Sequence, residues 1–284
     1  MIYSKEKYDP QVLKRLQDTE MEILDVVVDF CRKNNLNYSL AYGTLLGAIR
    51  HKGFIPWDDD VDIMMLREDY EKFRQLWLQN PIDGYDIVDD QLYDDYHENF
   101  MKIRKSNTTF VQFDSEKTEH LPLGIFIDIL PFDRVAPSRV TRKLQHYCCL
   151  LNMLLTRNRT SNSSNVLVSI AENMILSLPV GLRVSLKLRL RKYIQKWNDN
   201  DRLPLFNNVS LVDLPVIFDK DLFDEFENAP FDGRIFKIIQ KYDMCLTHCY
   251  GDYMQLPPEE KRYSHYPLIL DFEHCYDEIR GEII

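Results

Sequence analysis

Asp58, Asp60 and Asp62 stand at every second position in Trp57-Asp58-Asp59-Asp60-Val61-Asp62-Ile63-Met64-Met65. Side chains alternate faces along an extended chain. A strand over Asp58–Met65 therefore puts those three aspartates on one face and Val61, Ile63 and Met65 on the other. Carboxylates a few ångströms apart raise each other's pKa and need a counter-charge. A divalent cation supplies it, and hard oxygen ligands favour Mg²⁺, Mn²⁺ or Ca²⁺ over zinc. A solvated acidic turn has no need of apolar residues in strict alternation with the acids.

Upstream, Leu36–Ala41 reads as a short strand, and Gly43-Thr44 opens a helix over Leu45–Arg50. A glycine turn at a helix start offers free N–H groups, a positive dipole end and here the Thr44 hydroxyl, a ready phosphate site. A third carboxylate comes later. Gly124–Pro131 (GIFIDILP) is a strand by composition, with Asp128 on the Phe126 and Leu130 face and Pro131 ending it. An aspartate in so apolar a strand is paired or binds a metal. The strand Phe100–Lys105 places Lys102 and Arg104 on one face. These two cations, like the cluster Arg50, His51 and Lys52, are either ligands for donor phosphates or solvated surface charge.

Gly43-Thr44 followed by Asp60-x-Asp62 resembles the nucleotidyltransferase superfold of the DNA polymerase beta type. The longer run Gly43–Asp62 (GTLLGAIRHKGFIPWDDDVD), with Gly124–Asp133 (GIFIDILPFD) and Tyr250–Arg262 (YGDYMQLPPEEKR), resembles the LicD family of phosphotransferases. The matching blocks run in order from about Tyr38 to His265, with no quotable motif between Ser138 and about Asp213. The resemblance implies transfer of a phospho-alcohol, phosphocholine above all, from a CDP-activated donor such as CDP-choline to a glycan hydroxyl. Phosphoethanolamine, ribitol phosphate and glycerol phosphate remain open as cargo. It further implies Asp60 and Asp62 as metal bridges, Asp128 as metal ligand or proton acceptor, and Asp58 as outer ligand. Gly43, Thr44, Arg50, Trp57, Lys102 and Arg104 become substrate-binding candidates. A choline headgroup calls for aromatic faces, and Trp57, Tyr42, Tyr93 and Tyr96 are near in sequence.

The fold class expected is α/β with a mixed sheet: a nucleotidyltransferase-like core over 1–137, a helical insertion over 138–200, and a return to the catalytic unit over 201–284. Asp9 is the expected N-cap of a first helix with Pro10 at its first position. The polar start Met1–Lys7 shows no export signal, so the thiols of the six cysteines are expected reduced, the Asn-x-Ser/Thr triplets silent and the location cytoplasmic. Cys245, His248, Cys249, His265, His274 and Cys275 gather late in the chain and raise structural zinc, which core packing explains equally well.

The net charge of −10 hides an asymmetry. Arg139–Lys196 holds eleven Lys or Arg against the single acid Glu172, or +10, leaving −20 elsewhere. Within it, Leu182–Trp197 reads as a helix with Leu182, Leu186, Leu190, Tyr193, Ile194 and Trp197 on one face and Arg183, Lys187, Arg191 and Lys192 largely on others, although its alternation also suits a strand. Such an insertion either lies on the inner face of a membrane as a peripheral contact, beside a lipid-linked acceptor, or packs on the acidic half. Nucleic acid is not an expected partner, given the acidic total. The competing functions are a nucleotidyltransferase acting on a small molecule or protein, and a non-catalytic nucleotide-binding scaffold.

Overall fold

The computed structural model describes residues 8–93, 96, 98–112, 121–156, 173–207, 216–262 and 264–282. The chain forms two compact units, one of Met1–Val88, Lys102–Pro131 and Leu222–Ile284, the other of Asp89–Met101 and Phe132–Asp221.

The first unit opens with helix α1 (Pro10–Lys33), capped by the Asp9 side chain on the Gln11 N–H as its sequence predicts. Leu16, Ile23, Leu24 and Val27 are fully buried along one stripe of it. Strand β1 (Ser39–Leu40), helix α2 (Tyr42–Arg50), strand β2 (Asp62–Leu66) and helix α3 (Arg67–Gln79) follow. Tyr70, Phe73 and Trp77, at helical spacing on α3, are its buried residues, and Phe73 and Trp77 pack against Phe30 of α1 with ring centroids 5.1 and 4.8 Å apart. Strands β3 (Tyr85–Val88), β4 (Met101–Lys105), β5 (Thr109–Val111) and β6 (Phe126–Arg134) come next. The sheet order is β1-β2-β6-β4-β3, so the strands carrying Asp62 and Asp128 are neighbours. The unit closes with the antiparallel pair β9 (Phe226–Phe231) and β10 (Arg234–Ile239), helix α6 (Tyr242–Tyr250), strand β11 (Ile269–Asp271) on β5, and the short helix α7 (Tyr276–Ile279).

The second unit holds helices α4 (Arg139–Thr156) and α5 (Val180–Ile194) and strands β7 (Leu205–Asn207) and β8 (Ile217–Phe218), which extend from the end of β6. Gln145 knits it together. Its amide N–H groups donate to the carbonyls of Arg134 and Ile194, and its oxygen accepts from the Ala136 N–H.

Four expectations are corrected. Asp58–Val61 is not strand, because a turn (Asp58 N–H to Ile55 carbonyl, 2.9 Å) delays β2 to Asp62. Pro131 does not end β6. It stands one residue before the ladder to β7 begins at Phe132, where a missing N–H costs no ladder bond to β7. The helix expected over Ile238–Tyr250 starts at Tyr242, since Ile238 and Ile239 pair in β10. Finally, the face expected to be apolar on Leu182–Trp197 is buried only in part: Ile194 enters the core with Val135, Cys149 and Phe206, but a cation is buried on the helix as well. Leu182 is exposed, while Lys187 is buried with its ammonium on the Asp90 carbonyl, and Arg191 pairs with the Asp90 carboxylate. Asp90 supplies both acceptors, which is what lets two cations turn inward.

Candidate active site

The site is assembled by backbone. The Thr44 hydroxyl at the start of α2 accepts from the Asp62 N–H at 2.8 Å, and the Ala41 N–H donates to the Asp62 carbonyl at 3.0 Å. One residue earlier, the Val61 carbonyl accepts from the Asp128 N–H at 2.9 Å, which fixes β2 against β6. Gly43 lies against Asp58: a Cβ there would stand 2.9 Å from Asp58 Oδ2. The glycine therefore makes room for a protein carboxylate, while the threonine oxygen holds the strand that starts at Asp62.

The aspartate run keeps its alternation outside regular strand. Asp58, Asp60 and Asp62 are partly exposed, while Asp59, Val61 and Ile63 are buried. Burial, reinforced by the neighbouring acids, raises the pKa of Asp58 and Asp62 well above the carboxylate range and lifts Asp60 to about 6. Glu20 joins them from α1. It is buried, its pKa is raised by burial and then by Asp60, Asp59, Asp58 and Asp128, and its Oε2 has no hydrogen-bond partner. Asp128 is countered by Lys102, whose Nζ lies 2.6 Å from Asp128 Oδ1 and 3.6 Å above the Phe126 ring. Arg104 lies over the same ring and donates to the Gly124 carbonyl at 2.7 Å. Both cations are buried, so neither is surface charge.

Three residues complete the picture: Asp59 and Arg262, to which the sequence assigned no role, and His265, expected only as a zinc candidate. Asp59 is buried, accepting from the Tyr8 hydroxyl at 2.8 Å and the His265 N–H at 2.9 Å. His265 Nδ1 lies 3.3 Å from Asp59 and 3.5 Å from Asp60, and its pKa rises to about 9, first through the Asp59 bond. Arg262 lies 5.0 Å above the Trp57 ring, so that ring face is already taken by a cation. Arg262 donates to the Pro257 carbonyl, Arg50 to the Tyr253 carbonyl, and neither forms an ion pair among the described residues. Asp59 pairs with residues distant in sequence, so no local pattern reveals it. Glu20 does leave a signal, as a carboxylate between Leu16 and Leu24 on the apolar stripe of α1.

Of the proposed aromatic cage, Tyr42 and Trp57 belong to this unit and Tyr93 and Tyr96 to the other. The late cysteines and histidines scatter: the free Cys245 thiol hydrogen-bonds to Cys249, His265 goes to Asp59 and His274 to Asp271. Among the described residues no three His, Cys, Asp or Glu side chains are arranged around one metal position. The donor chemistry nevertheless suits a hard cation: it is all carboxylate oxygen and includes the buried orphan atom of Glu20.

The sheet and the aspartate run define a nucleotidyltransferase-type domain. Residues 35–147 match the family described as LicD/FKTN/FKRP, nucleotidyltransferase domain. The chain is 30% identical over 267 residues to the lipopolysaccharide cholinephosphotransferase LicD of Haemophilus influenzae, covering 89% of this chain and 96% of that one. It therefore belongs to the LicD family. Shorter similarities reach an uncharacterized Rickettsia typhi protein, 48% identical over 61 residues (22% of this chain, 20% of that one), and the human ribitol 5-phosphate transferase FKRP, 35% identical over 75 residues (26% of this chain, 14% of that one).

Proposed function

We propose that this chain moves a phospho-alcohol, phosphocholine first among the candidates, from a CDP-activated donor to a hydroxyl of a cell-surface glycan or its lipid-linked precursor, releasing CMP. The observation that carries the reading is the run Asp58, Asp60 and Asp62, tied to Thr44 at the start of α2 and next to the strand of Asp128, in a chain similar along its length to a cholinephosphotransferase. Asp60, Asp62 and Asp128, with Asp58 and Glu20 behind them, would hold Mg²⁺ or Mn²⁺. Bound there, the ion would neutralise phosphate charge and align the reacting oxygens.

The residues of the chain do the rest. The acceptor oxygen attacks the phosphorus that carries the alcohol, the bond to the CMP oxygen breaks, and the hydroxyl proton passes to a carboxylate of the cluster. Phosphoryl transfer asks mainly for positioning and charge neutralisation. Arg50 and Arg262, anchored on main-chain carbonyls and lacking carboxylate partners among the described residues, suit the donor diphosphate. Lys102 pairs with Asp128 and fixes its carboxylate.

The test is CMP release from a panel of CDP-alcohols with Mg²⁺ or Mn²⁺, with EDTA as control. Metal-dependent CMP from one donor, abolished by Asp60→Asn in a protein that melts normally, is the expected result. Full activity of Asp60→Asn would sink the assignment. Pyrophosphate release from free nucleoside triphosphates would instead establish nucleotidyl transfer.

A further inference from the structure

Helix α4 presents the wrong sides to protein and water. Its buried side chains are Gln145, His146, Cys149, Asn152 and Leu155, three of which carry hydrogen-bonding groups. Gln145 bonds to three backbone groups, and the Asn152 amide donates to Asn99 Oδ1 at 2.9 Å. The outward side holds Val140, Leu144, Tyr147 and Leu151, exposed by 77, 48, 62 and 39%. Steps of four, three and four residues put them on one stripe, which at about 1.5 Å per residue runs for roughly 16 Å. Single exposed apolar residues are ordinary, but an aligned stripe on the outer face of a helix whose inner face is largely polar marks a contact surface.

The charge around it narrows the partner. Arg139 and Lys143 are exposed on the same turns of α4, and Arg189 and Lys192 are exposed on α5. Neither helix contains an acidic residue. A second copy would set like charges against each other, so self-association through this face is opposed. No helix among the described residues is long and apolar enough to cross a membrane. An apolar stripe edged by cations lies instead in the interface of a bilayer, with its side chains among the acyl chains and its cations among acidic headgroups.

We propose that the outward face of α4, Val140-Leu144-Tyr147-Leu151 with Arg139 and Lys143, is the surface by which this protein rests on an anionic lipid bilayer. The inference goes beyond the transferase reading and does not depend on it.

The experiment uses the full chain with extruded vesicles of phosphatidylcholine, with and without about a quarter phosphatidylglycerol. The protein is expected to co-sediment with the anionic vesicles and to be released by high salt. The double variant Leu144→Gln/Tyr147→Gln should bind at least ~10-fold more weakly, from lost apolar burial. Arg139→Gln/Lys143→Gln should lose the preference for anionic lipid. Both variants should melt like the parent, since these positions are exposed. A Tyr147→Trp protein should show blue-shifted emission on anionic vesicles. Equal binding to both vesicle types, undiminished binding of the Leu144/Tyr147 variant, or a dimer in sedimentation velocity that this variant abolishes would each overturn the proposal.

Discussion

Lys102 Nζ and Asp128 Oδ1 lie 2.6 Å apart, with the two side chains only 6 and 12% exposed. Removing one partner of such a pair strands the other charge. Lys102→Met should therefore lower stability by about 3 kcal/mol in urea unfolding. Adding Asp128→Asn to that background should restore much of the loss. A single variant within about 0.5 kcal/mol of the parent would show that the pair carries no structural weight.

The pH dependence has a definite sign. Asp60 titrates at about 6 in the fold against 3.8 for the free side chain. Between those values the native state keeps a proton the unfolded chain has released, so stability falls as pH rises through that window. His265 titrates at about 9 against 6.5, so its contribution is complete below 6.5 and is lost by 9. The melting temperature without divalent ions should thus decline from about pH 4 to pH 9, and His265→Ala should flatten the upper half. A melting temperature independent of pH would contradict both assignments. Added Mn²⁺, which prefers ionised carboxylates, should stabilise more strongly as pH rises.

Two glycines separate site from scaffold. A Cβ at Gly43 meets the movable Asp58 carboxylate at 2.9 Å, whereas one at Gly124 meets the Lys105 carbonyl oxygen at 2.0 Å. Gly43→Ala should fold and melt within about 1 kcal/mol of the parent while losing most of its CMP release. Gly124→Ala should accumulate poorly or melt far lower, because backbone must move. The reverse ranking would show that Asp58 is not held where catalysis needs it.

Asp59 has three protein donors and can be probed one at a time. Tyr8→Phe removes one bond to a buried carboxylate and should cost about 1–2 kcal/mol, measurable by chemical unfolding. Asp59→Ala strands Tyr8 and His265 together and should cost more than Tyr8→Phe. If the two were equal, His265 would contribute nothing to holding the aspartate run.

Much of this site is legible in the sequence because its signals are local. Asp9 and Pro10 announce α1, the Gly43-Thr44 turn announces α2, and the alternation of Lys102 and Arg104 places both on one face of β4. The departures come from tertiary partners. Asp90 draws Lys187 and Arg191 inward, so cations join Ile194 among the inward-facing residues of α5. A single turn at Ile55–Asp58 shortens β2 without disturbing the alternation of its acids. Glu20 and Asp59 acquire their meaning only when α1 and the segment around His265 come together with the aspartate run, which no window of sequence contains.

The grip of His265 and Tyr8 on Asp59 also sets an order of events during synthesis. A nascent chain that has emerged as far as Arg134 already contains the residues of α2, β2 and β6, yet its Asp59 lacks the donors of residue 265. Asp59 is thus made long before the residue that completes its hydrogen bonds. A chain cut ahead of His265 would lack two of the three donors that hold Asp59.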